Sequence, residues 1–170
     1  MQSHSVPTAK SWLSILQASY LVHLLQPFHS NITKRLVKTP KLYFLDTGLC
    51  AYLTDWTTPE ALAAGAMSGA ILETWVVGEI LKSWWFHMDS PALYFYRDKD
   101  KKEIDLLLVC DQRLHPVEVK RAASVRKVWA RHFPLLERFL SGRGAGVVVC
   151  LTDMVVPIDD KTTAIPIWLL

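Results

Sequence analysis

Apolar residues recur at helical spacing in two stretches of this chain. In the first, Thr8 to Ala18, Trp12, Leu13 and Leu16 share one face and Thr8 is placed to cap the start. In the second, Met67 to Phe86, the buried face is drawn by Leu72, Trp75, Val76 and Ile80. Shorter runs with strand character lie between and beyond them. Tyr20 to Gln26 is ended by Pro27 and the turn-like His29-Ser30-Asn31, and Lys34 to Phe44 is interrupted at Pro40. A short helix is predicted through Asp46-Thr47-Gly48-Leu49. Leu93 to Arg97 is aromatic-rich, and Glu103 to Cys110 and Leu114 to Arg121 flank a two-residue Asp111-Gln112 turn. Ser124 to Leu140 is predicted helical with a break at Pro134, Val147 to Leu151 is a buried strand, and Ala164 to Leu170 is expected to add a last edge strand.

Helix, basic hairpin and short helix are the second half of a winged helix, so residues 1–57 are read as a partial winged-helix segment. Its Trp12, Leu16 and Tyr20 face is expected to need cover, by upstream chain or by oligomerisation. Thr57-Thr58-Pro59 marks the boundary, and residues 58–170 follow the order α-β-β-β-α-β of a second, α/β domain.

Composition changes this picture in three ways. Half of the 170 residues are apolar (51%) and mean hydropathy is +0.17, ample for a core. No uninterrupted apolar run approaches the ~18 residues of a membrane-spanning helix, and the amino terminus lacks a signal pattern. Cys50, Cys110 and Cys150 are odd in number and widely spaced, which argues against a disulfide framework or a zinc site. The expectation is a reduced, cytoplasmic protein with no membrane partner. Charge is unevenly spread: residues 1–45 hold five basic residues, Lys10, Lys34, Arg35, Lys38 and Lys41, and no acid. Such a segment is either a nucleic-acid contact surface, with Lys34, Arg35 and Lys38 on phosphates, or a solvated face beside an acidic partner.

Candidate chemistry sits on the central hairpin. With a two-residue turn, Asp105 lies opposite Glu118 on the neighbouring strand, and Lys120 shares the face of Glu118 by period-two alternation. Pro116 is expected to disturb that register through a bulge. Facing carboxylates repel, so the pair is a protonated dyad, a lysine-bridged site or a site for a hard cation such as Mg²⁺. Against this stands the reading of Glu118 and Lys120 as ordinary exposed strand positions, although Asp105 interrupts an otherwise apolar strand. Arg97 is placed either to meet a phosphate or to pair with Asp98 or Glu103. The Gly142-Arg143-Gly144-Ala145-Gly146 loop precedes a strand and lacks a following Gly-Lys-Ser/Thr, so it is a connector and no ATP site. Arg126, Lys127, Arg131 and Arg138 form either a phosphate track or a solvated basic face.

Asp, then Glu-x-Lys on the next strand, after a helix bearing Glu73, resembles the PD-(D/E)xK nuclease superfamily. The blocks TAKSWLSILQASYLVHLLQPF, KRLVKTPKLYFLDTGLCAYL, GAILETWVVGEILK, YFYRDKDKKEIDLLL and PVEVK are similar to the carboxy-terminal domain of unknown function in prokaryotic AAA-type predicted ATPases. That resemblance implies an ATPase module in the same chain, a restriction-endonuclease-like αβββαβ core, and nuclease-like positions at Glu73, Asp105, Glu118 and Lys120. In an active site, Glu73, Asp105, Glu118 and the Val119 carbonyl would hold Mg²⁺, and Lys120 would offset developing phosphate charge. The expected function is a DNA-associated, nuclease-like domain, a Mg²⁺-dependent phosphodiesterase in its active form. The alternative is a non-catalytic nucleic-acid-binding, protein-interaction or regulatory domain of the ATPase.

Overall fold

The computed structural model describes residues 6–29, 39–87 and 92–170. Lys34, Arg35 and Lys38, proposed above for phosphate contact, lie outside the described residues.

The strands are β1 Val22–Pro27, β2 Lys41–Phe44, β3 Leu93–Arg97, β4 Glu103–Cys110, β5 Arg113–Lys120, β6 Gly146–Cys150, β7 Val156–Asp159 and β8 Thr162–Pro166. They form one mixed sheet in the order β2-β1-β3-β4-β5-β6-β8-β7. The helices are α1 Val6–Ala18, α2 Thr47–Leu53, α3 Pro59–Ala64 and α4 Ser68–Phe86. Asp46 caps α2 through the Leu49 N–H, and Thr58 caps α3 through the Ala61 N–H, with Pro59 in the first turn. No described helix is long and apolar enough to cross a membrane.

The β4–β5 hairpin has the register expected of a two-residue turn, from Cys110↔Arg113 to Leu106↔Val117. Asp111 and Gln112 both have positive φ (49° and 61°), the condition of a type I′ turn, whose twist matches that of the strands. The bulge expected at Pro116 is absent. Pro116 faces Leu107 at a non-hydrogen-bonded position of the pair, where its missing N–H is not called on by β4. The irregularity lies one strand over. Between Tyr94↔Leu107 and Tyr96↔Ile104, β4 carries one residue more than β3, so Asp105 and Leu106 together face Phe95. Ile104 and Leu107 consequently enter the same core cluster despite being three residues apart.

Two apolar layers cover the sheet. Under α4, Val76, Val77 and Leu81 pack on Leu25, Phe95, Leu106, Val117 and Val149. The opposite layer corrects the prediction of a helix over Ser124 to Leu140. Two 3₁₀ segments, Lys127–Ala130 and Phe133–Arg138, stand there instead. Ala130, Phe133, Leu136 and Phe139 are all buried, and their spacing of three matches the 3.0 residues per turn of a 3₁₀ helix better than the 3.6 of an α-helix. Pro134 adds to this, since an α-helix would set its ring against the Ala130 carbonyl.

The carboxy-terminal strand also differs from expectation. β8 lies inside the sheet, parallel to β6, and β7 is the edge. At the other end β1 pairs with β2 and runs parallel to β3 through Gln26↔Tyr94 and Pro27↔Phe95, so residues 1–57 and 58–170 contribute strands to one sheet. Along α1 no residue is buried, and Tyr20, just beyond its end, is 71% exposed.

The Gly144 position is tightly closed. A Cβ there would lie 2.2 Å from His115 Cε1, and the Gly144 N–H is tied to the Leu114 carbonyl at 2.9 Å. Gly144→Ala is therefore expected to cost about 1–3 kcal/mol by overpacking. Urea denaturation should show most of that loss recovered when His115→Ala is added, and no recovery would place the strain elsewhere.

Candidate functional site

The bulge sets the geometry of the central cluster. Instead of continuing the ladder, Asp105 turns its side chain toward β5, where Oδ2 accepts the Val119 N–H at 2.9 Å. Glu118 and Lys120 follow two residues apart on the partly exposed face of β5. The Lys120 ammonium lies 2.6 Å from Glu118 Oε1 and 3.7 Å from Asp105 Oδ2. Of the three arrangements open to this pair, the structure has the lysine-bridged one.

Glu73 comes from the first half of α4 and is held apart from that bridge. Its Oε1 accepts the Tyr43 hydroxyl at 2.5 Å and pairs with Lys41 Nζ at 3.2 Å. Lys41 also pairs with Glu103 Oε1 at 2.5 Å, and Arg97 Nε pairs with Glu103 Oε2 at 3.3 Å. Arg97 thus makes the cross-strand ion pair that its position on β3 allows. The sequence offers Glu103 as a partner of Arg97 and Lys41 as part of the basic segment, but it does not point to Tyr43 or to the meeting of Lys41 and Tyr43 with Glu73. The one available signal was the alternation in Lys41-Leu42-Tyr43, which puts a lysine and a tyrosine on the same strand face.

Four carboxylates (Glu73, Glu103, Asp105, Glu118) meet three cations (Lys41, Arg97, Lys120), which leaves one negative charge over. Burial, then the charges of Glu118 and Glu73, push the Asp105 carboxyl up to about 7, against the pull of Lys120 and the Val119 N–H. Burial also raises Glu118, opposed by its contact with Lys120. For Lys120, burial favours the neutral amine, but Asp105 and Glu118 outweigh it and the ammonium is held above its ordinary range. Lys41 behaves alike: burial pulls it down, Glu73 and Glu103 more than compensate. Tyr43 is raised by burial and by Glu73, so it stays a protonated donor.

Among the described residues no three His, Cys, Asp or Glu side chains converge as a ligand set. Asp105 and Glu118 do converge, on one ammonium, and their surplus charge suits a hard divalent cation that completes its shell with water. Glu73, as held by Tyr43 and Lys41, acts on that pair through its charge.

Comparison with known proteins places this cluster in a family. The chain belongs to the family described as domain of unknown function (DUF4143), whose model matches residues 68–170. A second model, also described as a domain of unknown function (DUF8612), matches residues 2–60. Glu73, Asp105, Glu118 and Lys120 fall in the first match, Lys41 and Tyr43 in the second. The chain is similar to the uncharacterized protein Rv2008c of Mycobacterium tuberculosis and the uncharacterized protein Mb2031c of Mycobacterium bovis. Each is 30% identical over 117 residues, covering 69% of this chain and 26% of the relative. The chain thus spans about a quarter of the length of the curated relatives it matches. No solved structure matches.

Proposed function

We propose that this chain is the nuclease-like, DNA-associated carboxy-terminal domain of an ATPase-family protein, with Asp105 and Glu118 holding a divalent cation for phosphodiester hydrolysis. The observation that carries the reading is the convergence of Asp105 and Glu118, from adjacent strands, on the ammonium of Lys120. The order of α4, three antiparallel strands, a 3₁₀ layer and a parallel strand supports a restriction-endonuclease-like core, with a 3₁₀ layer where the second helix would stand. The α1, β1, β2 and α2 segment is read with it as part of a winged helix facing DNA.

A cation such as Mg²⁺ at this pair would lower the pKa of a bound water and polarise the phosphoryl oxygens. The residues themselves have separable tasks. Asp105 and Glu118 supply anionic oxygens, and the Val119 carbonyl leaves its strand on the same edge as the N–H bonded to Asp105. Lys120 is close enough to offset charge that develops on phosphate. Tyr43 and Lys41 fix the carboxylate of Glu73, which keeps a third negative charge near the pair.

Because the Asp105 carboxyl is pushed up to about 7, a proton must leave the pair as a cation enters. Calorimetric titration with Mn²⁺ is expected to give one site, tighter at pH 8 than at pH 6, with proton release at pH 6. Lys120→Ala should keep that site and lose cleavage of single-stranded DNA. No Mn²⁺ binding at millimolar concentration would sink the hydrolytic reading.

A second reading, a non-catalytic nucleic-acid-binding or regulatory domain of the ATPase, is favoured by one observation: the hold of Tyr43 and Lys41 on Glu73. It expects salt-dependent DNA binding that Mn²⁺ leaves unchanged.

A further inference from the structure

Beside the carboxylate pair lies a cavity of about 320 Å³ that none of the roles above uses. Glu118 and Lys120 form part of one wall. The other wall comes from the 3₁₀ layer, with Trp129, Arg131 and His132, and Lys101 stands on the turn before β4. His132 Nδ1 is 3.0 Å from the Glu103 carbonyl, which ties this wall to the strand that carries Asp105.

The charges around the cavity are of two kinds. Glu118 is matched by Lys120, and Glu103 by Lys41 and Arg97. Lys101 and Arg131 enter no ion pair among the described residues. Lys101 is moreover held at φ 61° in a turn whose Asp98 Oδ1 accepts the N–H groups of Asp100 and Lys102. A β-carbon-bearing residue rarely occupies that conformation, so the turn fixes where the lysine stem starts. The cavity therefore offers an aromatic side chain and two uncommitted cations, next to carboxylates that are each in contact with a cation.

We propose that this cavity receives one unstacked nucleotide of a nucleic-acid single strand, its base against Trp129 and its phosphate between Lys101 and Arg131. The proposal rests on the nuclease-like reading and names its substrate class. The size fits one nucleotide. A base inside a duplex keeps both faces stacked on its neighbours and cannot present one to Trp129, so single-stranded or frayed ends are selected over intact duplex. A nucleotide seated there sets the adjoining phosphodiester beside Glu118 and Lys120.

The test uses the 170-residue chain and octathymidylate in EDTA, so that no metal is needed. Binding is expected to shift the Trp129 indole N–H resonance. Trp129→Leu should weaken binding about tenfold, while Trp129→Phe, which keeps an aromatic face, retains most of it. Arg131→Gln and Lys101→Gln should each flatten the salt dependence by about 0.7 in log–log slope. Arg113→Gln, at the far end of the hairpin, should change nothing. Wild-type affinity in Trp129→Leu, or shifts confined to residues 6–27, overturns the proposal. Mn²⁺ binding without a Trp129 response defeats this inference alone. A Trp129 response without Mn²⁺ binding supports it and defeats the metal-dependent reading alone.

Discussion

Asp105→Asn is expected to stabilise the protein at pH 8, on the order of 2–4 kcal/mol, and to leave it unchanged near pH 4. The cause is the surplus charge. In the folded state burial and the charges of Glu118 and Glu73 push this carboxyl up to about 7 from the ordinary 3.8. Between those values the folded state binds more protons than the unfolded one, so stability falls as pH rises through the window. Above about 7 the whole penalty is present; below about 4 the group is neutral in both states and the penalty is gone. Asparagine keeps an oxygen for the Val119 N–H and removes the charge. Urea midpoints at pH 4, 5.5 and 8 measure the effect, and at pH 8 the melting temperature should rise by about 5–10 °C. A loss of stability at pH 8 would mean that the Asp105 carboxylate is needed to hold Lys120, and that the cluster is a structural ion network. The same substitution should remove Mn²⁺ binding, so stability and binding are expected to move in opposite directions.

Loss of Lys41 should have the opposite sign. Its ammonium joins Glu73 and Glu103 at 3.2 and 2.5 Å, with all three side chains 22–28% exposed. Methionine preserves the stem and leaves two partly buried carboxylates with Tyr43 and Arg97 as their remaining partners. Lys41→Met is expected to cost about 2–4 kcal/mol at pH 7, somewhat less than a fully buried pair because some water reaches the group. Adding Glu103→Gln should restore at least half of that, and the double-mutant cycle isolates the coupling. Because the carboxylates hold the ammonium above its ordinary 10.5, the contribution of Lys41 is fully present below about 10.5. It fades only as pH climbs through the raised value. A cost under about 0.5 kcal/mol would mark Lys41 as an ordinary solvated pair, and β2 would then have no hold on the cluster.

How much of this was legible in the sequence depends on the distance over which each feature is determined. The hairpin was legible because a polar pair, Asp111-Gln112, sits between two apolar, strand-like runs. Turn geometry then dictates the register from Cys110↔Arg113 to Leu106↔Val117. The same local logic accounts for α4, the short helix after Asp46 and the placement of Glu118 and Lys120 on one strand face. It fails over Ser124 to Leu140, where the spacing of three at Ala130, Phe133, Leu136 and Phe139 is also compatible with an α-helix broken at Pro134.

Other features had no local signal at all. Which strand β1 joins, and that β8 lies inside the sheet, are decided by pairing between segments tens of residues apart, where many partners satisfy the same apolar pattern. The position of the bulge follows from fitting β4 between β3 and β5 at once, a constraint that neither neighbour imposes alone. That bulge turns Asp105 toward the Val119 N–H. The seating of β2 beside α4 brings Lys41 and Tyr43 to Glu73. The sequence by itself determined which charged side chains the hairpin and the long helix carry, because turn chemistry and periodicity act within a few residues. Only the tertiary structure decided which carboxylates share a cation, because that depends on how three separately formed elements pack against each other.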